Sequence, residues 1–128
     1  MENLDKFYID GKWVTPNSKQ EMPVINPATE KKIGTVILGN DNDVDLAVKA
    51  ANLAFETFSQ SIKEERLKLL KRIHEATSDR FEDLAQAMSN EMGAPITMAR
   101  EAQADAGLGH LQGFIEALEK LEEENTLS

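Results

Sequence analysis

The spacing of hydrophobic positions changes once along the chain. Up to Leu38 the apolar residues fall in short runs separated by turn chemistry; from Val44 onward they recur at helical intervals. The first run, Phe7-Tyr8-Ile9-Asp10-Gly11-Lys12-Trp13-Val14, predicts a β-hairpin. Asp10-Gly11 suits a type I′ turn, in which both central residues need positive φ. The register sets Ile9 against Lys12, Tyr8 against Trp13 and Phe7 against Val14, the two apolar pairs contributing about 0.2–1 kcal/mol each. A polar connection from Thr15 to Gln20 follows. Met22 to Ile25 and Lys32 to Leu38 then predict a second strand pair around Asn26-Pro27-Ala28-Thr29-Glu30, because Pro27 fixes its own φ and keeps Asn26 out of the α region.

Gly39-Asn40-Asp41-Asn42-Asp43 predicts a helix start with an Asn or Asp cap and acid at the positive end of the dipole. Val44, Ala47, Val48, Ala51, Ala54, Phe55 and Phe58 make one amphipathic stripe behind it. Ser61-Ile62-Lys63-Glu64 fits a capping box. Leu70, Ile73, Ala76, Phe81, Leu84, Met88 and Met92 continue the helical period, with Thr77-Ser78-Asp79 marking one bent helix or the junction of two. Gly93 suits a left-handed C-terminal cap and Pro95 blocks continuation. A last helix is expected from near Pro95 through Leu111, Phe114, Ile115, Leu118 and Leu121, and Asn125-Thr126-Leu127-Ser128 carries no closing signal. The pattern predicts an α+β chain: N-terminal β-hairpins over 1–39, then amphipathic helices over 40–124.

Composition narrows the function classes. With 128 residues, 41% hydrophobic and 29% charged, the chain suits a folded domain large enough to bury a core. A net charge of -9 disfavours nucleic acid and anionic membrane surfaces as partners. Glu116, Glu119, Glu122, Glu123 and Glu124 concentrate acid near the end, as a solvated helix face or a fraying tail does. Cysteine is absent, which removes disulfides, thiolate metal sites and a cysteine nucleophile together. The acidic start Met1-Glu2-Asn3-Leu4-Asp5-Lys6 is not a secretory signal, and no apolar run approaches the roughly 20 residues that span a bilayer. A cytoplasmic location is the expectation.

Three motifs tempt and fail. Gly107-Leu108-Gly109-His110-Leu111-Gln112-Gly113 resembles a dinucleotide fingerprint, but Gln112 stands where the third glycine belongs and no strand precedes it. Small helical residues packed close against a neighbour explain it better. Asp41-Asn42-Asp43-Val44-Asp45 opens like a calcium loop, but Leu46 replaces the turn glycine and Asn52 the bidentate glutamate. His74 and His110 lack companions at catalytic or metal-ligand spacing and read as surface or boundary residues. Glu91 is an anomaly of another kind: a carboxylate near a helix C-terminus, where negative charge is unfavourable, which asks for a cation.

Four segments together resemble the N-terminal region of aldehyde dehydrogenases. They are the aromatic hairpin; Val24-Ile25-Asn26-Pro27-Ala28-Thr29-Glu30; Asp43-Val44-Asp45-Leu46-Ala47-Val48-Lys49-Ala50-Ala51 leading to Phe55; and Glu65-Arg66 with Leu70-Lys71-Arg72-Ile73 leading to Glu91-Met92-Gly93-Ala94-Pro95. Two departures stand out: Glu30 where many members have glycine, and Ala94 where many have lysine. The resemblance implies an α/β, Rossmann-like parent that oxidises aldehydes to carboxylic acids with NAD or NADP. In it a cysteine thiolate attacks the aldehyde and a glutamate activates water. Residues 1–128 would be the N-terminal portion of its cofactor-binding domain.

This chain lacks the family's cysteine and its Gly-x-Thr-x-x-Gly, Glu-Leu-Gly-Gly-Lys and Thr-Pro-Trp-Asn segments, so no catalytic or cofactor-binding residue is assigned and the chain alone is expected to be inactive and to bind no nicotinamide cofactor. The resemblance further implies that Val44, Val48, Ala51 and Phe55 are buried against the rest of the parent. It also implies a Na⁺ or K⁺ held between a carbonyl of Val24 or Ile25 and the Glu91 carboxylate, a third ligand coming from sequence outside this chain. Ala102 and Ala106 would line the substrate entrance, simple helix packing being the alternative. The expected partner is the remainder of an aldehyde dehydrogenase chain, its reading frame continuing beyond Ser128, with homo-oligomerisation through exposed apolar helix faces also open. A helical interaction module without catalysis is the competing reading.

Overall fold

The structure, a computed structural model, describes residues 5–122. Met1 to Leu4, Glu123, Glu124 and the final Asn125-Thr126-Leu127-Ser128 lie outside the described residues. The chain divides into two units between Gln60 and Ser61.

The first unit contains two antiparallel ribbons and one helix. Strands β1 (Phe7–Ile9) and β2 (Lys12–Val14) pair in the expected register, Phe7 with Val14, Tyr8 with Trp13 and Ile9 with Lys12. Asp10 at φ 53° and Gly11 at φ 72° form the turn, and the Tyr8 and Trp13 rings meet edge to face at 5.2 Å. Strands β3 (Glu21–Asn26) and β4 (Lys31–Ile37) form the second ribbon. Pro23 is accommodated because every strand of a two-stranded ribbon is an edge. At the turn, the Asn26 carbonyl accepts from the Glu30 amide at 2.7 Å and the Thr29 amide at 3.3 Å, while its side-chain oxygen accepts from Ala28 and Thr29. Glu30 closes the turn at φ 57°. The left-handed region disfavours every residue with a Cβ, which gives a physical reason for glycine there. Glu30→Gly is expected to raise the stability of the first unit by roughly 1 kcal/mol, read as a higher midpoint in urea.

Helix α1 (Asp41–Phe58) starts at Asn40, whose side chain accepts from the Asp43 amide at 3.2 Å. Val44, Val48, Ala51 and Phe55, the stripe expected to be buried against the rest of the parent, all face solvent in this chain, Phe55 being 66% accessible. A second set, Leu46, Ala50 and Leu53, lines a groove beside the first hairpin. The helix therefore carries apolar residues on more than the one face that its period predicts.

The second unit is helical. Helices α2 (Lys63–Asp79) and α3 (Phe81–Met92) are separate, broken at Arg80 (φ -106°, ψ 15°), which selects the two-helix alternative. The expected Ser61 capping box does not form. The N-cap is Ile62, which has no side-chain acceptor, and the reciprocal bond runs from the Ile62 amide to the Glu65 carboxylate at 3.2 Å. The box is shifted one residue along, since Ser61 lies too early to face the first free amides. Ser61 instead presents its carbonyl to Arg66 at 2.9 Å.

Beyond Pro95 the chain runs as α4 (Ile96–Met98), a π-helical segment (Ala99–Ala104) and α5 (Asp105–Lys120), so helix ends one residue before Leu121. Lys63 Nζ donates to the carbonyls of Glu119 and Leu121 at that end, and Lys71 pairs with Glu119 at 2.7 Å.

The core of the second unit is made of small residues. Ala85 of α3 and Ala99 of the π-helical segment have no accessible surface, Ala104 has 2%, and Phe81, Met88, Ala94 and Ile96 pack around them. Outside the core, Arg100 makes a two-pronged contact to Glu82 at 2.9 and 2.7 Å, tying the π-helical segment to α3. The Arg100 hydrogen bond, with help from Gln86, lowers the Glu82 pKa to about 2. A carboxylate depressed in the folded state stabilises above its unfolded pKa and loses that contribution as pH falls through the folded one. The Glu82 contribution is thus expected to disappear between pH 4.5 and about 2. Because the pair is exposed, salt should weaken it. Melting curves of Glu82→Gln and the parent chain should differ at pH 7 and converge at the acid end of that window.

Across the described residues four hydrophobic side chains are buried and nineteen large ones are exposed. Among the described residues the length-based expectation of a substantial core is not met, because the helices carry apolar faces that no other described residues cover.

Candidate functional site

Val24 and Ile25 sit at an irregularity in the second ribbon. Val24 pairs with Gly34 and Ile25 with Lys32, so Ile33 is an extra residue on β4. Such a bulge interrupts the ladder and leaves backbone polar groups without their regular partners. Val24 is half-buried and Ile25 exposed.

Glu91 lies in the last turn of α3, exposed, with no hydrogen bond or ion pair among the described residues. The turn after it is tightly built. Gly93 takes φ 75°, its amide donates to the Ser89 carbonyl at 3.1 Å, and the Ser89 hydroxyl donates to the Ala94 carbonyl at 2.9 Å. Ser89 therefore fixes the stretch Gly93-Ala94-Pro95, a role its position gives no sign of. A Cβ at residue 93 would strain the backbone, so Gly93→Ala should cost roughly 1–2 kcal/mol, measurable as a lower urea midpoint of the helical signal. Val24 and Ile25 belong to the first unit and Glu91 to the second. Among the described residues no three His, Asp or Glu side chains gather as a metal cluster.

Ala102 in the π-helical segment and Ala106 one turn later in α5 are both exposed. Neither packs into the buried core of the described residues. Between them, Gln103 holds its side-chain oxygen buried without a partner among the described residues. Gly107, Gly109 and Gly113 are helical, as expected, but a Cβ at any of them would meet nothing within 4 Å. The close neighbour invoked for them is not supplied by the described residues. His74 is half-buried on α2 and His110 exposed on α5.

The acidic run at 41–45 resolves into helix-start chemistry plus one special residue. Asp43 is 5% exposed, and its carboxylate accepts from the amides of Asn17 at 2.7 Å, Asn40 at 3.0 Å and Ser18 at 3.2 Å. The Asn17 bond is the largest cause of its lowered pKa, opposed by burial and reinforced by Asn40 and Ser18.

Residues 13–128 match the profile of the aldehyde dehydrogenase family. The chain belongs to that family. It is 47% identical over 111 residues to the 3-succinoylsemialdehyde-pyridine dehydrogenase of a Pseudomonas species, a match covering 86% of this chain and 23% of that protein. A mutant of aldehyde dehydrogenase C from Pseudomonas syringae, crystallised with NAD⁺ and octanal, is similar at a TM-score of 0.95 and 40% identity over 98% of this chain and 26% of that one. The aldehyde dehydrogenase of Bartonella henselae gives a TM-score of 0.94 at 38% identity, covering 96% of this chain and 26% of that one. This aldehyde dehydrogenase chain therefore spans about a quarter of the length of the relatives it matches, corresponding to their N-terminal part. No helix among the described residues is long and apolar enough to cross a membrane.

Proposed function

We propose that residues 1–128 are the N-terminal portion of the cofactor-binding domain of an NAD- or NADP-dependent aldehyde dehydrogenase that converts an aldehyde to a carboxylic acid. On this reading the parent fold is Rossmann-like, and the chain contributes scaffold, not chemistry. The carrying observation is a family match over 13–128 in a sequence without one cysteine. A thiolate nucleophile must come from outside these residues, and so must the groups that bind nicotinamide. Titrating NAD and NADP into the purified chain should give no saturable binding; micromolar affinity for either contradicts the assignment.

Two subsidiary roles follow. A carbonyl of Val24 or Ile25 and the Glu91 carboxylate are hard oxygen donors suited to Na⁺ or K⁺. The bulge beside the first and the lack, among the described residues, of a partner on the second leave each donor available to an ion. The bound cation would supply positive charge at a helix end that carries an unpaired acid. In the chain extended to family length, Glu91→Ala should abolish the bound ion, and an ion that persists refutes the site. Ala102 and Ala106, exposed and small, would leave a wide substrate entrance; Ala106→Phe should then raise KM for bulky aldehydes more than for small ones. The remainder of the aldehyde dehydrogenase chain is the natural partner of the exposed faces, with homo-oligomerisation available in its absence.

A further inference from the structure

Asp43 is the buried charged side chain among the described residues, and its three hydrogen bonds reach Asn40, three residues away, and the segment of Asn17 and Ser18, 26 and 25 residues away. The Ser18 hydroxyl also accepts from the Gln20 amide at 3.1 Å, and the Gln20 carbonyl accepts from the Leu38 amide at 2.8 Å. From Leu38 the chain passes through Gly39 to Asn40, which caps α1 and returns to Asp43. A Cβ on Gly39 would sit 3.5 Å from the Phe7 ring, so the hairpin closes over the same point. The bonds form a closed circuit around the base of the second ribbon. Apart from Asp43 and Ala50, every residue of α1 is exposed, so the helix is joined to the β portion of its unit by this circuit and by its contact with the first hairpin.

We propose that Asp43 is a latch. The first turn of α1, the segment from Asn17 to Gln20 and the base of the β3–β4 ribbon open as one cooperative unit, not as three independently fraying pieces. A carboxylate suits the role because it offers lone pairs to three amides at once and makes no donor demand. An asparagine of the same shape offers one acceptor oxygen and adds an NH₂ donor that faces backbone amides.

Amide hydrogen exchange on the full 128-residue chain, resolved by residue, tests this through Asn40→Ala. The Asn40 side chain hydrogen-bonds to the Asp43 amide and to neither Asn17 nor Ser18, so a local cap would leave their exchange unchanged. A latch transmits the loss: the amides of Asp43, Val44, Asn17 and Ser18 should accelerate together, by about fivefold for a cap of ordinary strength. Asp43→Asn should accelerate the same set further, while α3 amides keep their rates and show that the opening is local. Acceleration at Asp43 and Val44 with Asn17 and Ser18 unmoved overturns the proposal. Exchange of Asn17 and Ser18 at unprotected rates in the unmutated chain overturns it equally.

Discussion

Ala85→Leu is expected to destabilise the second unit by about 3 kcal/mol, the upper part of the range for overpacking a filled site. Ala85 and Ala99 have no accessible surface, and Ala104 has 2%. A side chain three carbons larger has nowhere to go unless α3 and the π-helical segment separate. Since the unit buries few other apolar groups, little remains to absorb the strain. The helical signal of the variant should be lost at markedly lower urea. Leu84→Ala, at the next position but 37% exposed, should cost much less, which separates packing at the alanine contact from helix propensity.

The second large effect concerns association. Val48 and Phe55 on α1 and Phe114 on α5 are each more than half exposed, and Phe114 borders an apolar groove with Leu70, Ala117, Leu118 and Leu121. Apolar surface of this kind drives self-association or binding of hydrophobic dyes. Each phenylalanine buried in a contact contributes about 1.5–3 kcal/mol, so replacing Phe55 and Phe114 by lysine should weaken self-association by roughly tenfold or more per residue. Helix content should hold, because neither ring packs into the core. Sedimentation of the chain and the double variant reads this directly. A parent chain that is a sharply melting monomer with no dye binding would favour an independent interaction module.

Local chemistry made the first half of the fold legible. Asp10-Gly11 determines its hairpin through backbone φ alone, and Gly93 determines the end of α3 in the same way. Burial was not legible. Helical period places Val44, Val48 and Phe55 on one face, but period cannot say whether this chain holds the surface that covers it. The Ser61 box failed because two overlapping carboxylates, Glu64 and Glu65, can each close a box, and the register chosen depends on where Lys63 enters the helix. Asp43 was hidden for a different reason: its partners are backbone amides 25 and 26 residues away, and amides leave no trace in a sequence. The π-helical segment carries no Gly or Pro to announce it. For the candidate site, Glu91 stands out by itself as an acid at a helix C-terminus, Val24, Ile25, Ala102 and Ala106 enter only through family resemblance, and the Ser89 contact to the Ala94 carbonyl is marked by no motif.

The most direct measurement is aldehyde oxidation by the purified chain, followed as NADH or NADPH absorbance with short and long aliphatic aldehydes. The account predicts no formation of reduced cofactor above the protein-free rate, at any pH, because the chain holds no thiolate to form the hemithioacetal from which hydride leaves. Turnover that scales with the concentration of this chain would contradict it.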